Sequence, residues 1–322
     1  MKAAVMPAPG TTPGYGDFDE PEEAECREIV ELVAAGIHPV VRSLAEGRHY
    51  GSTGRWPLIP GVDAVARTAD GAIVYTGYVE APYGTLAERM AVPAGMRLPL
   101  PDGADPVAVA GGLNPGLASW MPLRSRAAEA GALGTVVVLG ATGMAGLLAV
   151  QNAFLLGAAR VVGAGRNPAG LDRAAAAGAT TVALTGDPEA DAAQLAGALG
   201  GGSPGLVLDF VWAGPAEAMF RALGGHGLGE DRADIAYVQI GALAGPEASV
   251  PSSLLRSRRI KISGSGAGSA SVAAIIDQLP VYMRLIADGR VHVPTRTFPL
   301  PRVADAWTAA RGGGPRVVVT PD

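Results

Sequence analysis

The chain has 322 residues, 48% of them hydrophobic and 17% charged, with a formal net charge of −5. That composition excludes an intrinsically disordered chain, which is poor in apolar groups, and the acidic balance argues against a nucleic-acid partner. The single cysteine, Cys26, excludes an intrachain disulfide framework and a four-thiolate zinc site.

The length suggests two domains. Residues 1–112 read as irregular β structure. Strands are expected over 2–6, 28–35 (a helix is left open there), 62–67, 72–77 and 90–93, with a short helix over 40–46 and a Pro/Gly loop over 51–61. The Pro/Asp/Gly stretch 99–106 reads as a linker. From Leu113 strands alternate with helices: strand 135–139, helix 143–157, strand 160–164, helix 171–177, strand 181–184, helix 190–199, strand 206–211, helix 216–223, strand 235–240 and strand 260–263. This βαβα series marks a parallel sheet covered on both faces. A helix over 272–287, broken or kinked at Pro280, precedes a β-like tail ending in a strand at 317–320. The N-terminus lacks a signal-peptide pattern and no apolar run is long enough to span a bilayer, so a cytoplasmic protein is expected.

The strongest local signal is VVVLGATGMAGLLAVQ. Ala141-x-Gly143-x-x-Gly146 follows a strand and opens a helix. Small residues there let the backbone approach a pyrophosphate, and the helix N-terminus faces the anion. An NAD site usually carries Asp or Glu at the end of the second strand. Here Val162–Gly165 is followed by Arg166 and Asn167, a cation and a donor suited to a 2′-phosphate. The expected cofactor is NADP(H).

GATGMAG, followed by AVQNAFLLGAARVVGAGRN, resembles the cofactor domain of the medium-chain dehydrogenases/reductases, nearest the zinc-free quinone oxidoreductase and enone reductase branch. AAGIHPV, PLIPGVDAVA, YGTLAERMAVP and GGGPRVVVTP are similar, in order, to further family segments. The resemblance implies an α/β fold: a Rossmann NADP(H) domain (113–287) inserted in a partly open β-barrel, GroES-like substrate domain (1–112 and 288–322). It implies an active site in the cleft between them and a homodimer joined through the cofactor sheet near 235–240 and 260–263. The cofactor residues are taken as Thr142, Gly143, Met144, Ala145, Gly165, Arg166, Asn167, Val211, Ile240 and Gly241.

The chain departs from the zinc-binding pattern. Gly36-Ile37-His38 and Gly61-Val62-Asp63 stand where zinc members carry Cys and Gly-His-Glu, and His38 with Asp63 falls short of a catalytic zinc set. Ala118 replaces a usual Thr, and His38 a usual Asn. Hydride transfer to an enone leaves an enolate oxygen that needs a donor, and a carbonyl an alkoxide. The candidate donors are His38, His49, Tyr50 and Asn114. Adjacent His49 and Tyr50 on an extended segment are not both expected to point inward, and Asn114 reads as part of a turn before a helix. Trp56 and Trp120 are candidates for substrate contact, whereas His226 and His292 carry no clear signal. No Gly-x-Ser-x-Gly elbow or P-loop is present. The expected activity is NADPH-dependent reduction of an activated C=C bond in a quinone or enone, without zinc. The alternatives are carbonyl reduction or alcohol oxidation on the same cofactor, and a non-catalytic NADPH-binding sensor.

Overall fold

The computed structural model describes residues 1–224, 229–266, 268–269 and 271–322; His226 lies outside them. The chain opens with β1 (Lys2–Val5), β2 (Gly14–Asp17), β3 (Arg27–Gly36), α1 (Pro39–Ala45), β4 (Asp63–Arg67), β5 (Ile73–Gly77), β6 (Arg89–Pro93) and β7 (Leu98–Pro99). A long helix, α2 (Pro106–Ala130), leads to β8 (Thr135–Leu139), α3 (Met144–Leu155), β9 (Arg160–Gly165), α4 (Pro168–Ala176), β10 (Thr180–Ala183) and α5 (Pro188–Leu199). Then come β11 (Leu206–Asp209), α6 (Ala213–Leu223), β12 (Ile235–Gln239), α7 (Ser252–Ser257) and β13 (Ile260–Gly264). The return runs through α8 (Val272–Ala287), β14 (Thr295–Pro299), α9 (Val303–Ala309) and β15 (Arg316–Thr320). Two compact units result: Met1–Pro115 with Ile276–Asp322, and Gly116–Ile275.

The second unit is built on six parallel strands in the order β10-β9-β8-β11-β12-β13. Counted from β8, this is the 3-2-1-4-5-6 order of a doubly wound Rossmann sheet, whose ligand crevice lies outside the carboxyl ends of the strands at the reversal of order. Central β8 is a β-branched run because both of its faces are covered; Val136, Val137, Val138 and Leu139 have no exposed surface. Local chemistry sets the helix ends. Asp187 caps α5 by accepting from the N–H groups of Glu189 and Ala190, Pro188 starts the helix, and Gly200 ends it at φ +63°.

The first unit holds a seven-stranded sheet in the order β14-β15-β3-β4-β5-β7, with β6 pairing along β3. All of its pairs are antiparallel except β14 with β15. The pairing order does not close on itself, which leaves the barrel partly open. Ala34, Ala64, Met90, Val303 and Trp307 lie in its fully buried core.

The structure corrects the sequence reading at α2. Gly112, Asn114, Pro115 and Gly116 suggest a turn before a helix, yet they and Gly111 lie inside the helix. A Cβ on Gly112 would overlap the Val293 side chain, and one on Gly111 would sit 3.0 Å from Thr295 Cγ2. Glycine lets the helix seat against the return segment while Val109, Ala110 and Leu113 are fully buried. Burial here outweighs low helix propensity. Likewise α8 runs unbroken through Pro280, held by the buried face of Leu279, Tyr282, Met283 and Ile286.

Candidate active site

The turn after β8 and the start of α3 give each small residue a distinct task. Gly146 packs the helix on the strand: an added Cβ would overlap the Gly140 carbonyl oxygen and lie 2.6 Å from Ala141 Cα. Gly143 has no such constraint, its nearest neighbour being Gly140 O at 3.7 Å. Gly143 is also the N-cap of α3 and supplies no side-chain cap. The first-turn N–H groups over Met144 and Ala145 are therefore available to an anion from outside. By contrast, Asn167 caps α4 by accepting from Gly170 N at 2.8 Å. Thr142 packs where Gly165 and Gly170 leave room; a Cβ on Gly170 would lie 2.5 Å from Thr142 Cβ. Arg166 is exposed directly after β9.

Val211, Ile240 and Gly241 follow β11 and β12 at the same carboxyl edge and are half-buried. A residue that the sequence reading did not single out organises them. Asp209, fully buried, accepts through Oδ1 from the N–H groups of Val211 (2.8 Å) and Trp212 (2.9 Å). Its Oδ2 accepts from the Tyr237 hydroxyl at 2.5 Å. Its backbone carbonyl accepts from Ile240 N at 2.7 Å and Gly241 N at 3.1 Å. Burial pushes the Asp209 carboxyl above its ordinary value, partly offset by these donors, and pushes the Tyr237 hydroxyl well up. The turn that follows is strained, with φ +59° at Trp212 and +49° at Ala213. A carboxylate closing the run LVLD at the carboxyl end of a buried parallel strand is the signal that could have found it.

In the first unit, His38 follows β3 and is the N-cap of α1, with Pro39 as the first helical residue. Its ring is buried, with Nε2 3.4 Å from Asp63 Oδ1. Neither of its ring nitrogens, nor Asp63 Oδ1, makes a hydrogen bond among the described residues. The Tyr75 hydroxyl donates to Asp63 Oδ2 at 2.8 Å. Arg316, also buried, donates to Ile37 O at 3.0 Å. The adjacency of β15, β3, β4 and β5 in the sheet brings these four side chains to one place. Burial lowers the Arg316 guanidinium to about 10, opposed by the Asp63 charge. Burial and then Asp63 raise the Tyr75 hydroxyl well above its ordinary value. Sequence reasoning paired His38 with Asp63 only as an incomplete zinc set and missed Tyr75 and Arg316. Among the described residues, no three His, Cys, Asp or Glu side chains group as a metal site requires.

His49 and Tyr50 form a separate pair. They occupy a turn rather than an extended segment, so their rings pack together at 4.0 Å between centroids. Tyr50 is 78% exposed. His49 Nδ1 accepts from Gly51 N at 3.0 Å, and burial lowers the His49 pKa. Asn114 is half-buried within α2. Trp56 donates through Nε1 to Ala45 O at 3.1 Å and packs on the first unit's core. Trp120 is buried in α2, with the Arg124 guanidinium 6.0 Å from its ring. His292 lies just before β14.

No family model matches the chain. The probable NADPH-dependent quinone reductase tdiC of Emericella nidulans is 29% identical over 362 aligned positions that span the whole of both chains. The crystal structure of the quinone oxidoreductase of Thermus thermophilus, solved also in complex with NADPH, has a TM-score of 0.78 at 27% identity, covering 99% of this chain and 100% of that one. A mycobacterial protein crystallised with NADPH shares the fold with a TM-score of 0.81 at 19% identity, both chains covered in full. The strand order, the glycine turn and both full-length likenesses agree: over its whole length the chain is similar to NADPH-dependent quinone oxidoreductases of the medium-chain dehydrogenase/reductase type.

Proposed function

We propose that the protein is an NADPH-dependent quinone oxidoreductase and that it reduces an activated C=C bond, of a quinone or an enone, without zinc. The observation that carries the cofactor reading is the contrast within one turn. Gly146 is required by the fold, whereas Gly143 is not, and Gly143 sits at the uncapped start of α3, where a Cβ would clash with nothing in the protein. A glycine that the protein's own packing does not need is explained by a phosphate that approaches its backbone. Met144 and Ala145 hold the pyrophosphate through their N–H groups, and Arg166, on its exposed strand end, takes the 2′-phosphate. When bound, the dihydronicotinamide supplies the hydride. Charge that develops on the substrate oxygen requires a donor, and His49 and Tyr50 are the accessible pair for it. His38 and Asp63 are two donors, short of the three protein ligands that catalytic zinc takes.

Gly143→Ala should keep wild-type thermal stability and lose about tenfold or more in NADPH affinity, because within the protein the added methyl makes only an ordinary 3.7 Å contact with the Gly140 carbonyl oxygen. Arg166→Ala should weaken NADPH and leave NADH unchanged. Turnover followed at the nicotinamide absorbance band with quinones, enones, aldehydes and ketones then fixes the reaction. Turnover of aldehydes or ketones alone would replace the C=C reading with carbonyl reduction. Binding without turnover of any of them would favour a sensor, and preference for NADH would overturn the role given to Arg166.

A further inference from the structure

Asp209 uses both carboxylate oxygens and its backbone carbonyl at the carboxyl edge of the parallel sheet. Its carboxylate takes the N–H groups of Val211 and Trp212 and the Tyr237 hydroxyl, and its carbonyl takes those of Ile240 and Gly241. The segment that it grips is held against its own preference. Trp212 lies at φ +59°, ψ −159°, a region that essentially only glycine occupies, and Ala213 follows at φ +49°. The Trp212 ring does not pin that backbone through a hydrogen bond; it meets Phe220 and Tyr237 edge-on, at 5.9 and 6.3 Å between centroids. The bond from Trp212 N–H to Asp209 is the polar restraint on the strained residue.

Sheet order says which part of a dinucleotide this edge meets. β8, with the glycine turn, is central. β9, with Arg166, lies on one side of it, and β11 and β12 lie on the other. If the pyrophosphate sits at β8 and the 2′-phosphate at β9, the opposite half of the cofactor extends towards β11 and β12. The geometry points to Asp209 as a positioning residue: its carboxylate holds the turn after Val211, with Trp212 and Ala213 in conformations that glycine adopts freely, and so shapes the wall for the nicotinamide half of the cofactor. The inference rests on the NADPH reading of the site.

The test is calorimetric titration of the full-length wild type, Asp209→Ala, Asp209→Asn and the double variant Asp209→Ala/Trp212→Gly, each with NADPH and with 2′,5′-ADP. Asp209→Ala should weaken NADPH about tenfold, the scale of lost buried hydrogen bonds. It should leave 2′,5′-ADP, which lacks the nicotinamide half, unchanged. Asp209→Asn keeps an oxygen for both N–H groups and should bind NADPH as the wild type does. Trp212→Gly in the Asp209→Ala background should restore most of the lost NADPH affinity, since glycine takes the turn without a restraint. Equal losses for both ligands would mark a merely structural role and overturn the inference. So would unchanged NADPH binding in Asp209→Ala, or absence of rescue. If Asp209→Ala does not fold, Asp209→Ser, too short to reach all three donors, is judged by the same split between ligands. A wild type that binds neither ligand would instead defeat the cofactor reading itself, and the inference with it.

Discussion

Each unit buries one Asp–Tyr pair, and the two pairs are put to different use. In the parallel-sheet unit, Asp209 accepts from Tyr237 and from two backbone N–H groups, so both of its oxygens are occupied. In the antiparallel unit, Asp63 accepts from Tyr75 through one oxygen, while the other faces His38 Nε2 at 3.4 Å without a hydrogen bond. Asp209 is thus fixed to main chain and acts through hydrogen-bond geometry. Asp63 faces side chains and acts through charge, because the buried Arg316 guanidinium depends on its field. The same pair of residue types builds a rigid support in one place and an electrostatic balance in the other.

Removing charge while keeping shape should separate the two most sharply. Asp63→Asn leaves Arg316 buried without its compensating charge, and a loss of about 3 kcal/mol in unfolding free energy is expected. Asp209→Asn preserves acceptors for the backbone and should change stability by less than about 1 kcal/mol. Urea unfolding of both variants measures this, and equal losses would erase the distinction between charge and geometry. Removing the hydroxyls gives a smaller contrast. Tyr75→Phe strips Asp63 of its one side-chain donor and should cost about 2 kcal/mol, whereas Tyr237→Phe leaves two donors on Asp209 and should cost about 1 kcal/mol. The reverse ranking would show that Asp209 depends more on its tyrosine than on the main chain.

The pairs also differ in what acid should do. Burial raises the Asp209 carboxyl above its ordinary 3.8. A carboxyl with a raised folded pKa binds its proton more tightly in the folded state. Its contribution to stability is therefore complete below 3.8 and is lost as pH rises through the folded value. Asp209→Asn has no such dependence, so the stability of the wild type relative to that variant should fall from pH 3.8 towards neutrality. A flat difference across that range would mean that the donors around Asp209 cancel its burial.

How much of this was legible in the sequence follows from where the information lies. The second unit announced itself because its signals are local: a β-branched run, a tight turn of small residues and a helix occur within some twenty positions from Thr135. The Gly143 and Gly146 spacing was readable, although their unequal roles appear only when a Cβ is placed at each. The first part of α2 was missed because its glycines and Pro115 have breaker chemistry, and only contact with the distant Val293 and Thr295 explains Gly111 and Gly112. The His38–Asp63–Tyr75–Arg316 cluster draws on four neighbouring strands whose pairing spans most of the chain, so no spacing reveals it. Asp209 was locally visible, but Tyr237, its partner, belongs to the neighbouring strand β12. The expectation that His49 and Tyr50 do not both point inward assumed an extended segment; the chain turns there, and their rings pack together with Tyr50 exposed.

The smallest effect expected bears on whether the Asp209 side of the comparison really contains stored strain. Ala213 has a positive φ of +49° and opens α6. An L-residue held in the left-handed region costs about 1–2 kcal/mol, which glycine escapes, though glycine gives back part of that through its greater freedom in the unfolded chain. Ala213→Gly should therefore raise unfolding free energy by about 0.5 kcal/mol, contrary to the usual penalty for glycine at a helix start. Trp212→Gly sits at a more extreme angle, but it also removes a ring packed on Phe220 and Tyr237 and should be net destabilising. Opposite signs at two adjacent positions would show that backbone strain and side-chain packing are separable in this turn. If Ala213→Gly destabilises instead, the turn is relaxed as it stands, and Asp209 holds it without opposing any strain.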